Sequence, residues 1–297
     1  MITIAGGTGT VGSKVTRNLL REGIPVRVLT RDPARAATLF GNEAQPEIVG
    51  VDIADTTGLR SAFTASESAF LSMGTSATQV RDEKLLIDAA VAAGVTHLVN
   101  LSSAGAGGDS TSNVNRWHAE IDAYVATKDV ASTLLRPSTY IDTIVRVASN
   151  FVPADAWGGF AGDGRAAFID ARDIADVAAL VLREGARTHA GCVYPLTGPS
   201  AVSMPQIADL LSTGLGTPVR YHHRNESEQR AVLESVGLPA LMVEVLLGLD
   251  SLIRDNIAAT PSSMVADLTG RPARGAANYI GENLALFAAA ETSRAGA

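Results

Sequence analysis

Short, almost continuous apolar runs alternate with amphipathic stretches along the first half of the chain. Residues 2–5, 25–30, 47–51, 68–73, 96–101 and 132–135 read as strands, and residues 11–22, 55–64, 80–93 and 115–127 between them as helices. The strands are mostly apolar and do not alternate regularly with polar residues, which predicts burial on both faces. Parallel strands sandwiched between helices meet that demand, so the pattern predicts an α/β, doubly wound sheet. Beyond Pro137 the rhythm loosens. A glycine-rich stretch at 157–164 is expected to cover the substrate end, followed by helices at 171–183, 204–215 and 226–249, the last broken at Gly237-Leu238-Pro239. This part reads as a small, mainly helical C-terminal lobe.

The first strand runs into Gly6-Gly7-Thr8-Gly9-Thr10-Val11-Gly12 and then a helix closed by Gly23. Gly7, Gly9 and Gly12 satisfy G-x-G-x-x-G, and Gly6, Gly9 and Gly12 the looser G-x-x-G-x-x-G. In both, one glycine makes the turn, one admits a phosphate, and Gly12 lets the helix pack on the sheet. Free backbone N–H groups and the positive end of the helix dipole favour an anion there. With the second apolar strand the unit is a complete βαβ, so a Rossmann-type dinucleotide site is expected. The chain then divides into an NAD(P)-binding region, residues 1–150, and a substrate-covering region with the helical lobe, residues 151–297, interleaved with the Rossmann core.

Composition narrows the partners. The 297 residues carry a formal net charge of −7 and no basic tract, which argues against a nucleic-acid surface. No apolar run reaches bilayer length, so no membrane span is expected. The first strand starts at the N-terminus, leaving no room for a leader, and the single Cys192 forms no intrachain disulfide; a reducing cytoplasm is the expected compartment. Adjacent His222 and His223 point to opposite faces of a strand and lack partners at ligand spacing, so no metal site is expected.

The glycine motif, together with Leu29-Thr30-Arg31-Asp32-Pro33, Asn100-Leu101-Ser102-Ser103-Ala104-Gly105, Leu134-Leu135-Arg136-Pro137 and the late Asp267-Leu268-Thr269-Gly270-Arg271-Pro272, resembles atypical short-chain dehydrogenases/reductases of the NmrA-like group. That group includes type 2 NAD(P)H:quinone oxidoreductases, reductases that tailor aromatic natural products, and regulators that bind dinucleotide without turning it over. The resemblance implies cofactor contacts from Gly6, Thr8, Gly9, Thr10, Val11 and Gly12, from Asp52 and Ile53 near the adenine, from Ser72, Met73 and Gly74 near the ribose, and from Ser102 and Pro137. At the end of the second strand, where an acidic residue would select NAD, this chain has Thr30-Arg31, with Arg35 four residues on. Guanidinium groups pair with a 2′-phosphate, so NADP(H) is favoured over NAD(H). Arg31 and Arg35 solvating a loop and pairing with Asp32 is the bland alternative.

Most short-chain dehydrogenases pair a tyrosine with a lysine four residues later on a helix. Here Val114 and His118 stand at those places, and Tyr124 with Lys128 comes too late in the helix to align. Without a phenol aimed at a carbonyl, an alkoxide would form unaided, whereas a reduced quinone spreads its charge over an aromatic diolate of low basicity. The candidate catalytic residues are Ser103, which orients substrate or caps a loop; His118, a donor if its imidazole titrates near neutrality, or a polar helix residue; and Tyr140, which stacks on a planar substrate or packs in the core. Residues 104–113 have the composition of a lid. Residues 238–252 read as a core helix or a subunit interface. The expected activity is hydride transfer from NAD(P)H to a quinone or polycyclic aromatic, within aromatic polyketide tailoring coupled to a partner enzyme's oxygenation. A homodimer is the other association considered, and a non-enzymatic NAD(P)-binding sensor the alternative function.

Overall fold

The computed structural model describes residues 1–41, 45–107 and 112–287. In chain order its elements are β1 (Ile2–Ala5), α1 (Gly12–Arg21), β2 (Val26–Thr30), α2 (Pro33–Phe40), β3 (Glu47–Gly50), α3 (Thr56–Ala62), β4 (Ser68–Leu71), α4 (Gln79–Ala92), β5 (His97–Leu101), α5 (Asn113–Ala126), β6 (Ala131–Pro137) and α6 (Ile141–Phe151). They continue with β7 (Gly158–Gly159), β8 (Arg165–Ala166), α7 (Ala171–Glu184), α8 (Ala186–His189), β9 (Val193–Leu196), β10 (Val202–Ser203), α9 (Met204–Leu215), β11 (His222–His223), α10 (Glu226–Ser235), α11 (Ala240–Arg254), α12 (Met264–Thr269) and α13 (Ala276–Glu282).

Seven strands form one parallel sheet in the order β3-β2-β1-β4-β5-β6-β9. β1, β4 and β5 are buried along their whole length, as continuous apolar runs require. Val15 and Leu19 of α1 join Ile174, Val177 and Val181 of α7 over one face, while Leu59, Phe63, Leu86, Ile87, Ile121 and Val125 from the α3–α5 side cover the other. Side chains of Asp32, Asp55 and Asp170 cap α2, α3 and α7, and capping boxes start α9 (Ser203, Gln206) and α10 (Asn225, Glu228). The chain order reverses between β1 and β4, which opens a crevice at the strands' carboxyl ends.

The lobe has its own packing. α6, α9 and α13 share a core with Trp157, Phe168 and Tyr221, and Phe160, Leu233, Val243 and Leu247 make a smaller one under α10 and α11. The glycine-rich stretch does not cover the substrate end. Trp157 and Phe160 are buried, β7 pairs with β11, and the Phe160 amide donates to Asp250 Oδ2 (3.1 Å), so the stretch anchors α11 from behind. Gly159 belongs there because a Cβ would come within 2.4 Å of the Asp250 carboxylate.

Arg271 and Arg274, in and just after the late sequence signature, reach back to α7. The Arg274 amide donates to Asp173 Oδ2 (2.7 Å), and its guanidinium bonds Asp173 Oδ1 and Asp176 Oδ2 (3.0 Å). Arg271 (2.8 Å) and Asn18 of α1 (2.9 Å) complete the shell around Asp176. This segment therefore fastens the C-terminal chain to the helix layer of the sheet. Of the 104–113 stretch, residues 104–107 form a short 3-10 helix and Ser112 immediately precedes α5 without a side-chain cap, while residues 108–111 lie outside the described residues, as does the tail from 288.

Candidate active site

The glycine turn is tight by construction. Gly6 has φ +81°, and a Cβ there would lie 1.9 Å from the Ser72 carbonyl oxygen of the next strand end; one at Gly12 would lie 2.3 Å from the Gly6 carbonyl oxygen. The Gly9 amide closes the turn onto Gly6 O (2.9 Å), and the Thr10 and Val11 amides donate to no backbone carbonyl among the described residues. Val11, the N-cap of α1, caps nothing with its side chain, and no acidic residue sits in the first turn. The donors at this helix end are left for an anion, which fits the pyrophosphate of a dinucleotide.

A cavity of about 760 Å³ runs from this turn across the ends of β4, β5 and β6. It brings together Gly9, Thr10, Val11, Ser72, Met73, Gly74, Ser102, Ser103, His118, Pro137 and Tyr140, residues scattered over 130 positions of sequence and placed here by the sheet order. Gly6 and Gly12 shape the turn behind the wall, and Thr8 sits within the turn without lining the cavity. Arg31, Arg35, Asp52 and Ile53 follow β2 and β3, beyond the lining. Arg31 and Arg35 are exposed and make no ion pair among the described residues. Asp32 does not pair with either guanidinium: its Oδ1 accepts the Arg35 backbone amide (3.0 Å) to cap α2. Asp52 Oδ1 accepts the Ala54 amide (2.9 Å), which fixes the turn after β3.

The Ser102 hydroxyl donates to Asp122 Oδ2 (2.7 Å), which also takes the Arg136 guanidinium (2.9 Å). The Ser103 hydroxyl donates to Oδ1 of buried Asn115 (2.7 Å), leaving its lone pairs as acceptors. Gly105 leaves room for this, since a Cβ would overlap the Asn115 amide. Ser138 Oγ, on the cavity wall after β6, is buried and has no hydrogen-bond partner among the described residues. Tyr140 stands at the start of α6, partly packed on the main core and partly on the cavity. Burial pushes its phenol well above the usual range, so it stays protonated, a neutral donor and acceptor that can also stack.

His118 departs from expectation. Burial lowers its imidazole to about 4, so it is neutral at physiological pH. Nδ1 is sealed from solvent and has no partner among the described residues, and Nε2 lies 3.4 Å from Gln79 Nε2, whose amide also donates to Glu83 (2.9 Å). Glu83, buried in turn, is raised to about 7 by desolvation. The ring is thus tied into the α4–α5 packing and is no near-neutral donor. Tyr124 and Lys128 also lie apart from the site: the Lys128 ammonium sits 3.9 Å over the Tyr124 ring, and both bond Asp88 on α4. His222 bonds Asp155 (3.1 Å) and His223 packs edge-on against Tyr221.

Residues 238–252 are more than a core helix: Val243 and Leu247 are buried, but Met242, Val245, Leu246, Leu249 and Leu252 form the apolar wall of the cavity. Facing them is the α6 stripe Thr143, Arg146, Val147 and Asn150, spaced i, i+3, i+4, i+7. Sequence reasoning missed this stripe because it assigned no helix between Pro137 and Asp170, although that periodicity is present in the sequence.

A parallel sheet of this order, a glycine turn with free helix-end amides and a cavity without a Tyr-x-x-x-Lys pair define an atypical short-chain dehydrogenase/reductase fold. The sequence profile of the NmrA-like family matches residues 1–261, and the chain belongs to that family. It is similar to an NAD(P)H azoreductase of Xenophilus azovorans, 32% identical over 290 residues that cover 98% of this chain and 100% of the relative. It is also similar to quinone oxidoreductase 2 of Escherichia coli, 30% identical over 279 residues, 92% of this chain and 94% of that one. The crystal structure of the NADPH-dependent quinone oxidoreductase of E. coli complexed with NADPH superposes with a TM-score of 0.87 at 28% identity, covering 95% of this chain and 99% of that one.

Proposed function

We propose that this chain is an NAD(P)H-dependent oxidoreductase that passes hydride to a quinone or azo acceptor carried on a planar aromatic. The observation that carries the reading is the continuity of the cavity from the glycine turn, past Ser103 and Tyr140, to the apolar wall of α11. Relatives named for azo and quinone reduction support it. About 760 Å³ is within the roughly 300–1,000 Å³ of small-molecule sites.

A bound reduced nicotinamide dinucleotide would supply the hydride. Gly9, Thr10 and Val11 would hold its pyrophosphate, Ser72, Met73 and Gly74 would pass over a ribose, and Arg31 just after β2 with Arg35 in the first turn of α2 would favour the 2′-phosphate of NADP(H). Ser138 Oγ is a free polar atom for the nicotinamide end. Tyr140, held protonated, donates a hydrogen bond to acceptor oxygen or stacks on its ring, and Ser103, oriented by Asn115, accepts or donates beside it. Neither is an activated acid. A quinone suits this set, because water delivers protons to a diolate of low basicity after the electrons arrive. The long apolar wall favours fused rings, and an anthraquinone of aromatic polyketide tailoring, passed once reduced to an oxygenating partner, is the narrower form of the reading.

The test mixes purified protein with NADPH or NADH and a panel of naphthoquinones, anthraquinones and azo dyes and follows loss of reduced-nicotinamide absorbance. Turnover with fused-ring quinones, faster with NADPH, is expected. Tight NADPH binding without oxidation by any acceptor would overturn the enzyme reading in favour of a dinucleotide-binding sensor.

A further inference from the structure

The acceptor pocket carries a single fixed charge. Among the described residues that line the cavity there is no Asp, Glu or Lys, and the one charged side chain is Arg146, His118 being neutral. Arg136, Arg172 and Arg274 are committed, to Asp122, to Asp170 and Glu282, and to Asp173 and Asp176, while Arg31 and Arg35 lie beyond the cavity lining. Arg146 is exposed, and its guanidinium pairs with no carboxylate and donates to no acceptor among the described residues. In a chain of net charge −7, an unpaired cation on an otherwise uncharged pocket wall has no structural partner to serve.

Its position is set by the helix. Thr143, Arg146, Val147 and Asn150 share the cavity face of α6, and Arg146 lies six residues beyond Tyr140, ~9 Å along the axis. Asn150 donates to the Arg146 carbonyl (2.9 Å) and, as a neutral amide, adds no charge beside the guanidinium. An acceptor whose reducible carbonyl meets Tyr140 and Ser103 therefore extends its rings along the α11 wall and brings its far edge to Arg146. From this geometry we infer that Arg146 is a specificity-determining residue that anchors an oxyanion, a sulfonate or carboxylate, on the distal ring of the aromatic acceptor. The inference rests on the reductase reading above and narrows its substrate class to anionic aromatics. A guanidinium forks onto such a group with two parallel hydrogen bonds, and the exposed position lets it do so without burying an unpaired charge in the free enzyme.

The test compares a naphthoquinone sulfonate with its uncharged parent, with NADPH as donor, in the wild type, Arg146→Met and Arg146→Lys. Using the ratio of kcat/KM for the two acceptors cancels effects common to both. In Arg146→Met the sulfonate-to-parent ratio falls about 10- to 100-fold, mostly through KM, as loss of a charge-assisted pair requires, and Arg146→Lys restores part of it. Added salt weakens the wild type's preference and leaves that of Arg146→Met unchanged. A ratio within twofold of the wild type's overturns the anchor while the reductase reading stands, and a rise confined to the KM of NADPH reassigns Arg146 to the cofactor and overturns it too. If no acceptor is reduced, the reductase reading falls separately, and equilibrium titration of the sulfonate into the protein with NADP⁺ decides: binding weakened by Arg146→Met keeps the anion site, and equal binding removes it.

Discussion

Replacing both Arg31 and Arg35 by alanine isolates the 2′-phosphate from everything else the cofactor touches. The two guanidiniums are exposed and unpaired, and Asp32, the nearby carboxylate, is held by the Arg35 backbone amide, which the substitution retains. No buried acid is orphaned and the α2 cap survives, so the melting temperature is expected to stay within a degree or two. A charge-assisted hydrogen bond contributes about 1.5–3 kcal/mol, and solvent exposure pulls each toward or below the lower end. Two such contacts give roughly 2–3 kcal/mol, or about 30- to 150-fold in kcat/KM at 1.4 kcal/mol per factor of ten. Steady-state kinetics with NADPH and NADH against one saturating quinone should therefore show the NADPH value falling by that factor while the NADH value moves less than threefold. Raising the salt should erode the wild type's NADPH preference. Equal losses with both cofactors, or none with either, would refute the placement of the phosphate beside β2.

Four further outcomes are expected. Gly6→Ala drives a Cβ into the Ser72 carbonyl and should raise the NADPH dissociation constant more than tenfold in a fluorescence titration. Gly23→Ala, equally left-handed at φ +75° but with open space around it, should lower stability by only ~1 kcal/mol and leave binding intact. Arg274→Ala strands the buried Asp173 carboxylate and should cost ~3 kcal/mol in chemical denaturation, with Asp173→Asn recovering part of that loss in the double variant; additive effects would deny the clamp. Asp250 and Glu83 are both raised to about 7 in the fold, so the native state binds more protons than the unfolded chain between about 4 and 7. The stability they contribute is complete below pH ~4 and is lost as pH rises through 7. Asp250→Asn should flatten that slope in urea titrations from pH 5 to 8. Tyr140→Phe removes one neutral donor and should lower kcat for quinones about tenfold without shifting its pH profile, because the phenol it replaces does not titrate in the working range.

The parallel sheet was legible because strands buried on both faces are mostly apolar, and the glycine turn because the positive φ of Gly6 and the close approaches at Gly6 and Gly12 demand residues without a Cβ. β9 escaped, as Val193-Tyr194-Pro195-Leu196 is a short edge strand that carries a proline. The wall of the cavity formed by the glycine turn and the strand ends was legible from motifs there. The helical wall was not, since Met242, Leu246 and Leu249 look in sequence like any apolar helix face, and only their position opposite α6 makes them a pocket wall. His118 shows the limit of residue type as a guide: its titration is governed by the packing of α4 on α5, which no local pattern encodes.

The small core of Phe160, Leu233, Val243 and Leu247 sits apart from the two that clasp the sheet. Residues 226–254 are held by this core, by the Asp250 staple behind them and by Ile253 in the larger lobe core, and they carry the apolar wall of the cavity on elements separate from the glycine turn. Chimeras that exchange this segment and keep Ile253 and Asp250 are expected to alter which aromatic fits while leaving NADPH binding in place.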